Sequence, residues 1–169
     1  MRKLILIFLF SFVTFSFSLA QKEKYQSLFI YNFTKYIKWP ENYVAEKFVI
    51  GIIGNSKIID DLNEMAITKK KTANGAEIEV KKYSSPEEVG ECHILFVSEN
   101  MVDRFPLIDV RTSGKPILLI TDSPGMGAKG SIINFVERDG KIKFELNESS
   151  ATKRNLVISG SLTSLAILI

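Results

Sequence analysis

The sequence predicts an α/β fold: a mixed, largely parallel sheet flanked by helices, with a C-terminal antiparallel hairpin at one edge. Short, almost continuous apolar runs recur along the chain, as in strands that are buried on both faces. Segments with helical periodicity alternate with these runs, which favours α/β layering. The pair Asp139-Gly140 lies between two β-rich segments and is typical of a two-residue hairpin turn.

The first residues have the organisation of a secretory signal peptide. Arg2 and Lys3 precede the apolar run 4–17, and Ser18-Leu19-Ala20 supplies the small residues of a cleavage site. A membrane anchor is the alternative, but a span needs about 20 apolar residues, and this run is shorter and contains serines. We therefore expect export with cleavage after Ala20, and residues 21–169 as a single α/β domain.

The exported chain is nearly neutral. The leader holds Arg2 and Lys3, so 20 of the 22 Lys and Arg residues remain against 19 Asp and Glu, a balance of +1. This balance leaves no electrostatic footprint for nucleic acid, and we expect no nucleic-acid partner. Cys92 is the only cysteine, so an internal disulfide is impossible and the stability must come from packing.

The first helix of the exported chain is predicted from Tyr25 to about Trp39. Apolar residues recur there at steps of three and four, and Pro40 disfavours helical geometry in the residue before it. An aromatic stripe of this kind belongs to the core in most proteins, and a partner-docking face is the alternative. The candidates for partner binding are the aromatic residues Tyr31, Phe33, Tyr36 and Trp39.

The next elements are a buried strand, a helix and a half-exposed strand. The run 47–54 is apolar and β-branched, residues 58–65 carry a helical apolar stripe, and residues 76–83 alternate between polar and apolar. Residues 84–88 combine serine, proline and early acidic residues, which is typical of a helix start.

The second half repeats this alternation and then changes to antiparallel pairing. Residues 92–97 and 116–121 are predicted as buried strands on either side of a short helix, 101–110, that Pro106 interrupts. Two strands flank the Asp139-Gly140 turn. The apolar tail 162–169 must pack against its own domain or against another chain, which leaves a homodimer possible.

Groups for catalysis are few. His93 is the only histidine and stands beside Cys92, and neighbours along a strand point to opposite faces, so the two do not form a working pair. With one histidine and one cysteine we predict no zinc or copper site. Gly51–Gly54 and the loop 124–130 lack the spacing of nucleotide-binding motifs, and we predict neither an enzyme nor a cofactor.

Polar residues at the predicted strand ends form the second candidate site. Ligands of open α/β sheets bind outside the carboxyl ends of the strands. The ordinary alternative is that such residues cap the following turns. The candidates for a small polar pocket are Asn55, Ser98, Thr121, Asp122 and Ser123.

Seven blocks of the sequence carry a resemblance to a known family. In chain order the blocks are Tyr31–Pro40, Phe48–Gly54, Cys92–Val97, Leu119–Gly125, Gly130–Val136, Lys143–Asn147 and Leu156–Ser159. Together they resemble the YfiR-like family of periplasmic regulatory proteins, and the similarity covers nearly all of residues 24–165.

The resemblance implies a periplasmic regulator that binds and restrains an inner-membrane signalling protein, either a diguanylate cyclase or a sensor histidine kinase. Its output in the cyclase case is cyclic di-GMP, which drives attachment and biofilm formation. Some relatives carry cysteine pairs that act as redox switches, and with Cys92 alone this property does not carry over. The aromatic helix and the C-terminal segment are the expected interface, and a periplasmic small-ligand binding protein is the alternative function.

Overall fold

A seven-stranded sheet organises the residues that this computed structural model describes, which are 21–43 and 47–169. The strand order is β3-β2-β4-β5-β6-β7-β9; the first five strands are parallel, and β7 and β9 run opposite to them. The strands of this sheet are β2 (Lys47–Ile53), β3 (Glu77–Tyr83), β4 (Ile94–Val97), β5 (Leu118–Thr121), β6 (Ile133–Arg138), β7 (Lys141–Leu146) and β9 (Ile167–Leu168).

Five α-helices and two 3₁₀ segments connect the strands within the described ranges. The 3₁₀ segments are Pro86–Glu88 and Glu99–Arg104. The helices are α1 (residues 21–36), α2 (Ile58–Lys69), α3 (Phe105–Arg111), α4 (Glu148–Lys153) and α5 (Gly160–Thr163). None of these helices combines the length and the apolar character that crossing a bilayer requires.

The sheet is covered on both faces, as its apolar strands require. One face packs through Ile50, Ile52 and Phe96 against α1 and α2. The other face packs through Val49, Ile53 and Leu95 against Phe105 and Ile108 of α3. Adjacent strand residues thus enter different layers, which explains why β2, β4 and β5 are apolar throughout.

The predicted fold class is confirmed, with one addition at the edge. The Asp139-Gly140 turn joins β6 and β7 as an antiparallel pair in which Arg138 faces Lys141. The last strand, β9, then pairs with the outer side of β7 and forms the edge of the sheet. The predicted signal peptide lies on residues 1–20, outside the described residues.

Four predicted elements differ in their boundaries from the sequence-based expectation. The helix predicted to reach Trp39 ends at residue 36, because Ile37–Lys38 forms β1 and pairs with β8 (Val157–Ile158). Strands predicted from Cys92 and Pro116 begin two residues later, at Ile94 and Leu118. The helix predicted for 101–110 is a 3₁₀ segment followed by α3, which starts at Phe105 with Pro106 in its first turn, where a missing N–H costs little.

Candidate functional site

The carboxyl ends of β2 and β4 adjoin the point where the strand order reverses, the usual ligand crevice of an open α/β sheet. Here that position is filled by protein. Asn100 Oδ1 accepts a hydrogen bond from the backbone N–H of Asn55 (3.1 Å). A Cβ at Gly54, whose φ is +93°, would lie 2.5 Å from Met101 Cγ and 2.6 Å from Asn100 Oδ1. Only glycine therefore lets β2 end this close to the turn that follows β4.

Asn55 and Ser98 both belong to this closed end. The side chain of Asn55 accepts a hydrogen bond from Lys82 Nζ (3.0 Å), and this bond lies on the exposed surface of the protein. Ser98 is fully buried, and its backbone accepts from Met101 N–H (2.8 Å). The Ser98 hydroxyl has no hydrogen-bond partner within the described ranges, and the same holds for the buried atoms Ser123 Oγ and Glu23 Oε2.

Thr121 faces inward and starts a buried hydrogen-bond network. Its hydroxyl lies 2.8 Å from Asn134 Oδ1 and 2.9 Å from Ser131 Oγ. Asn134 Nδ2 in turn donates to Glu145 Oε2 (2.8 Å). The network ties β5, β6 and β7 together under the open end of the sheet, and every buried polar group in it has a partner.

Asp122 joins the end of β5 to the first helix. Its Oδ2 accepts from Lys22 Nζ at 2.9 Å and from Gln26 Nε2 at 3.4 Å. Lys22 and Gln26 are four residues apart on α1 and therefore share one face of the helix. Neither residue was predicted from the sequence, although the i, i+4 spacing of two long polar side chains was the available signal.

The five residues predicted to form a ligand pocket therefore occupy separate settings. Asn55 and Ser98 close the β2–β4 end, Thr121 lies in a buried network, and Asp122 anchors α1. Ser123 is buried beside Asp122. Asp122 is the member of the five that lines a cleft, a depression of about 370 Å³ between the loop after β5 and strand β6.

A second depression of about 460 Å³ adjoins the first, between α1 and the β6–β7 hairpin. The two share Lys22, Glu137 and Ile142, and together we call them the hairpin groove. The remaining walls of the hairpin groove include Gln21, Tyr25, Phe29, Pro124, Gly125, Phe135, Val136, Arg138, Gly140, Lys141 and Glu145.

The aromatic stripe of α1 is divided between core and surface. Phe33 and Trp39 are buried; Phe33 contacts Phe135 and Phe144, and Trp39 Nε1 donates to the backbone oxygen of His93 (3.2 Å). These contacts give both rings a place in the core. Tyr31 and Tyr36 are partly exposed at the border of the core. A partner-binding role for the four aromatic residues stays a prediction.

The large apolar side chains that α1 exposes do not belong to the four predicted aromatic residues. Tyr25 and Leu28 expose 47% and 42% of their surface, and both lie on the outer face of the helix. Their separation of three residues places them side by side. The sequence pattern places them in the apolar stripe, but a helix pattern alone does not tell which edge of a wide stripe stays uncovered.

His93 and Cys92 point to opposite layers, as their adjacency predicts. Cys92 is fully buried in the layer that contains α3, and burial raises the pKa of its thiol to about 12, which favours the protonated thiol at neutral pH. The His93 ring stacks on Phe48 at 4.5 Å and accepts from Val49 N–H through Nδ1 (2.9 Å). Burial lowers the pKa of His93, which keeps the ring neutral.

Groups that could hold a metal ion are missing from the described ranges, where no three His, Cys, Asp or Glu side chains cluster. Asp122, the acidic residue that follows β5, is paired with Lys22.

Comparison with known proteins decides the family. Residues 23–167 match the model of the DUF4154 family, described as YfiR/HmsC-like. The chain belongs to this family. The match spans the described sheet from α1 to the start of β9 and confirms the resemblance drawn from the seven sequence blocks.

Membership of this YfiR/HmsC-like family associates the chain with periplasmic regulation of cyclic di-GMP signalling. Its members are regulators that act with membrane signalling proteins, and they are not known as enzymes.

Two further similarities are more distant. Over 92 residues the chain is 29% identical to a component of the A-type ATP synthase of Thermoplasma volcanium, covering 53% of this chain and 88% of that protein. Among solved structures, it is similar to an ABC domain in complex with L-Trp from Streptococcus pneumoniae, with a TM-score of 0.48 and 15% identity. That similarity covers 72% of this chain and 54% of the other, so the chain spans about half of that protein's length.

Proposed function

We propose that this chain is a periplasmic regulator that binds and restrains an inner-membrane signalling protein by direct contact. The target is a diguanylate cyclase or a sensor histidine kinase. The observation that carries the proposal is the family match, which extends over residues 23–167 and so includes most of α1, of the sheet and of the hairpin groove.

The surface of the molecule supports a contact mechanism. Tyr25 and Leu28 form an exposed apolar pair on α1, and Leu165, Leu168 and Ile169 expose 67%, 53% and 52% of their surface near the C-terminal strand. Large apolar side chains that stay exposed in groups mark interaction surfaces more often than isolated ones do. Aromatic anchors such as Tyr25 contribute a large share of the binding energy in many interfaces.

Restraint of a membrane protein requires unequal affinity for its two conformations. A regulator that binds the inactive conformation more tightly than the active one shifts the equilibrium by that difference in binding free energy. About 1.4 kcal/mol of differential binding already changes the ratio of the two conformations tenfold. A contact surface of modest size is therefore sufficient for regulation.

Affinity capture from solubilised cell envelope tests the proposal when it is combined with a cyclic di-GMP reporter. The bait is the exported chain, and the expected prey is an inner-membrane cyclase or histidine kinase. A deletion strain should show raised cyclic di-GMP if the target is a cyclase, and complementation should restore the original level. Recovery of no inner-membrane signalling protein, with an unchanged reporter, would overturn the regulatory function.

Charged substitutions locate the contact surface. Tyr25→Glu and Leu28→Glu should weaken capture at least tenfold while the melting temperature stays near that of the wild type, because both side chains are exposed. Ile67→Glu is the matched control, since Ile67 is an apolar residue that is 75% exposed and belongs to α2 instead of α1. Capture at the wild-type level by all three variants would place the contact on another surface. The C-terminal segment would then be tested next.

A second candidate function is the binding of a small polar ligand in the periplasm. The cleft of about 370 Å³ beside Asp122 and the adjacent buried hydroxyl of Ser123, which has no partner within the described ranges, favour it, because buried polar atoms normally have partners. Thermal denaturation in the presence of metabolite pools separates the two functions. A rise in melting temperature with one small-molecule fraction, together with failed envelope capture, would place ligand binding first.

A further inference from the structure

A polar cleft of about 540 Å³ lies between helix α4, the loop that follows β5 and the turn that follows α3. We call it the α4 cleft. Ala128 and Ile169 bring apolar side chains to its lining, and serine hydroxyls and charged groups make up most of the rest. Its volume lies in the range of small-molecule binding sites. It shares no lining residue with the hairpin groove.

Positive charge is in excess along the α4 cleft. Lys129, Lys153 and Arg154 supply three cations, and Asp109 supplies one acid. Arg154 pairs with Asp109 (Nη2 to Oδ1, 2.6 Å), and neither lysine takes part in an ion pair among the described residues. When the carboxylate on Ile169, the last residue of the sequence, is counted as well, three cations stand against two acids. The cleft therefore attracts an anion.

The acidic residues that adjoin the α4 cleft are engaged elsewhere. Glu148 precedes the lining residue Ser149, but its Oε1 accepts a hydrogen bond from Thr163 Oγ1 (3.0 Å), and it lines a different depression, beside β8. Glu145 Oε2 accepts from Asn134 Nδ2 (2.8 Å), and this residue lines the hairpin groove. Neither carboxylate therefore occupies the space between the two lysines.

Hydrogen bonds hold the walls of the α4 cleft in place. Arg154 is buried, and its bond to Asp109 ties the end of α4 to α3. Asn147 donates from Nδ2 to the backbone oxygen of Gly127 (3.1 Å) and accepts at Oδ1 from Ser150 N–H (2.9 Å), so it ties the loop after β5 to the start of α4. A site with walls that are already fixed loses less conformational entropy when a ligand binds.

The loop after β5 differs from the phosphate loop of a nucleotide-binding protein. Its backbone amides are used within the loop, since Lys129 N–H donates to Met126 C=O (3.1 Å) and Gly130 N–H donates to Gly127 C=O (3.2 Å). The Ser131 hydroxyl is buried and donates to Ile133 C=O (2.7 Å). Recognition of an anion in the α4 cleft must therefore come from side chains instead of a backbone cradle.

The side chains present suit a phosphate group. Lysine ammonium groups bind phosphate oxygens as point charges, and serine hydroxyls donate hydrogen bonds to the same oxygens. The loop supplies one ammonium group through Lys129, and α4 supplies another through Lys153. The hydroxyl groups in the lining belong to Ser113, Ser149 and Ser150.

We propose that the α4 cleft binds a phosphate group, carried either by a soluble molecule or by the headgroup of an anionic phospholipid. Lys129 and Lys153 hold the phosphate oxygens from the two sides of the cleft, and the serine hydroxyls donate to the oxygens that remain. Arg154 stays bonded to Asp109 and fixes the end of α4 on which Lys153 stands. This site is separate from the hairpin groove and does not rest on the proposed regulatory function.

Equilibrium dialysis with radiolabelled inorganic phosphate tests the site. Chloride keeps the ionic strength constant during the titration, so the screening of charges does not change. The exported chain should bind phosphate saturably, and the double variant Lys129→Gln/Lys153→Gln should have an affinity at least tenfold lower.

The matched control is the double variant Lys57→Gln/Lys143→Gln. It removes the same two charges from exposed lysines outside the α4 cleft, and its affinity for phosphate should fall less than twofold. Both double variants should melt near the wild-type temperature, because all four lysines are exposed and none takes part in an ion pair among the described residues.

Co-sedimentation with vesicles distinguishes the two sources of the phosphate group. Vesicles of phosphatidylglycerol present an anionic phosphate, and vesicles of phosphatidylcholine present a phosphate that a choline cation balances. Sedimentation with phosphatidylglycerol that Lys129→Gln/Lys153→Gln loses assigns a lipid headgroup, whereas binding of inorganic phosphate without sedimentation assigns a soluble ligand. Binding of neither probe, or equal behaviour of the two double variants, would overturn the phosphate site and leave the regulatory function intact.

Discussion

The carboxyl ends of β4 and β5 differ in the path that the chain takes after each strand. After β4 the chain turns at once into the 3₁₀ segment Glu99–Arg104, and Asn100 and Met101 fill the space above Gly54. After β5 the chain moves away, and β6 and β7 extend past the end of β5. One end is therefore sealed and the other carries the hairpin groove.

Ligands of open α/β sheets usually bind where the strand order reverses. The difference between the two ends shows that such a site also needs space that the protein itself does not fill. The reversal lies between β2 and β4, and there the space is taken by Asn100 and Met101. The open space lies further along the sheet, where parallel pairing stops before antiparallel pairing does. Four predictions test the contrast between the sealed and the open end.

The largest effect is expected from adding a methyl group at the sealed end. Gly54→Ala should lower the free energy of unfolding by about 3 kcal/mol, because it combines a positive φ with overpacking against Met101 and Asn100. At the open end Gly125 has φ +75°, and a Cβ added there would meet no described atom within 4 Å, so Gly125→Ala should cost about 1 kcal/mol. Urea unfolding of both variants measures the difference. Equal costs would show that the β2–β4 end is not tightly packed.

The loss of a buried hydroxyl group should destabilise the protein more where the hydroxyl has a hydrogen-bond partner than where it has none. Thr121→Val preserves shape but deprives Asn134 Oδ1 of its hydrogen bond, and we expect a loss of about 2 kcal/mol. Ser98→Ala removes a buried hydroxyl that has no partner among the described residues, and it should change stability by less than about 0.5 kcal/mol. Denaturant unfolding distinguishes the two. A costly Ser98→Ala would indicate that the Ser98 hydroxyl is bound in solution.

Low pH should destabilise the protein through His93, which packs at the amino end of β4. The neutral ring accepts from Val49 N–H and its other nitrogen lies 3.2 Å from the backbone oxygen of Tyr43. Because the pKa of His93 is lowered in the folded protein, the unfolded chain takes up a proton first as the pH falls below about 6.5. Stability should therefore decrease by up to about 1.4 kcal/mol per pH unit below that value, until the folded protein is protonated too.

Unfolding curves between pH 7.5 and 5.5 measure this effect. His93 is the only histidine, so the slope in this range can be assigned to it. The exposed carboxylate of Glu91 acts in the other direction by favouring the charged ring, and the Tyr43 phenol beside it stays protonated because burial raises its pKa to about 12. The variant His93→Gln should be less stable at pH 7.5 and should lose the slope. A flat profile for the wild type would contradict the buried neutral ring.

The smallest effect concerns the ion pair that bounds the hairpin groove. Lys22 and Asp122 are partly shielded from solvent, with side-chain exposures of 35% and 15%, and a double-mutant cycle with Lys22→Met and Asp122→Asn should give a coupling of about 1 kcal/mol. The more exposed pair of Lys47 and Glu79 is the control and should give a smaller coupling. High salt should reduce the second coupling more than the first. A coupling of zero would show that the Lys22–Asp122 ion pair contributes nothing to holding α1 against the end of β5.

Much of the fold could be predicted because its signals are local. Continuous apolar runs identified β2, β4 and β5, and the helical stripe of Ile58, Leu62 and Met65 became the buried face of α2. The Asp139-Gly140 pair located the hairpin to the residue, since only a few residue types adopt two consecutive positive φ angles. Two-residue strands such as β1 and β9 gave no signal, because they are defined by partners that are distant in the sequence.

The candidate site was harder to predict than the fold. Asn55, Ser98, Thr121, Asp122 and Ser123 were identified from their positions after strands, and they do lie at strand ends. Whether such a side chain faces a cleft, a buried network or a helix depends on what packs beside it. For Asp122 this is Lys22 of α1, and for Thr121 it is Asn134 of β6.

The sequence by itself determined the layered α/β class, the family and the absence of an internal disulfide, because each follows from residue types and their order along the chain. The tertiary structure alone decided which strand end is sealed and which is open. That outcome depends on how far β5 and β6 extend relative to each other and on the path of the chain after each strand. Such differences in length involve contacts between segments that are separate in the sequence, and local patterns do not encode them.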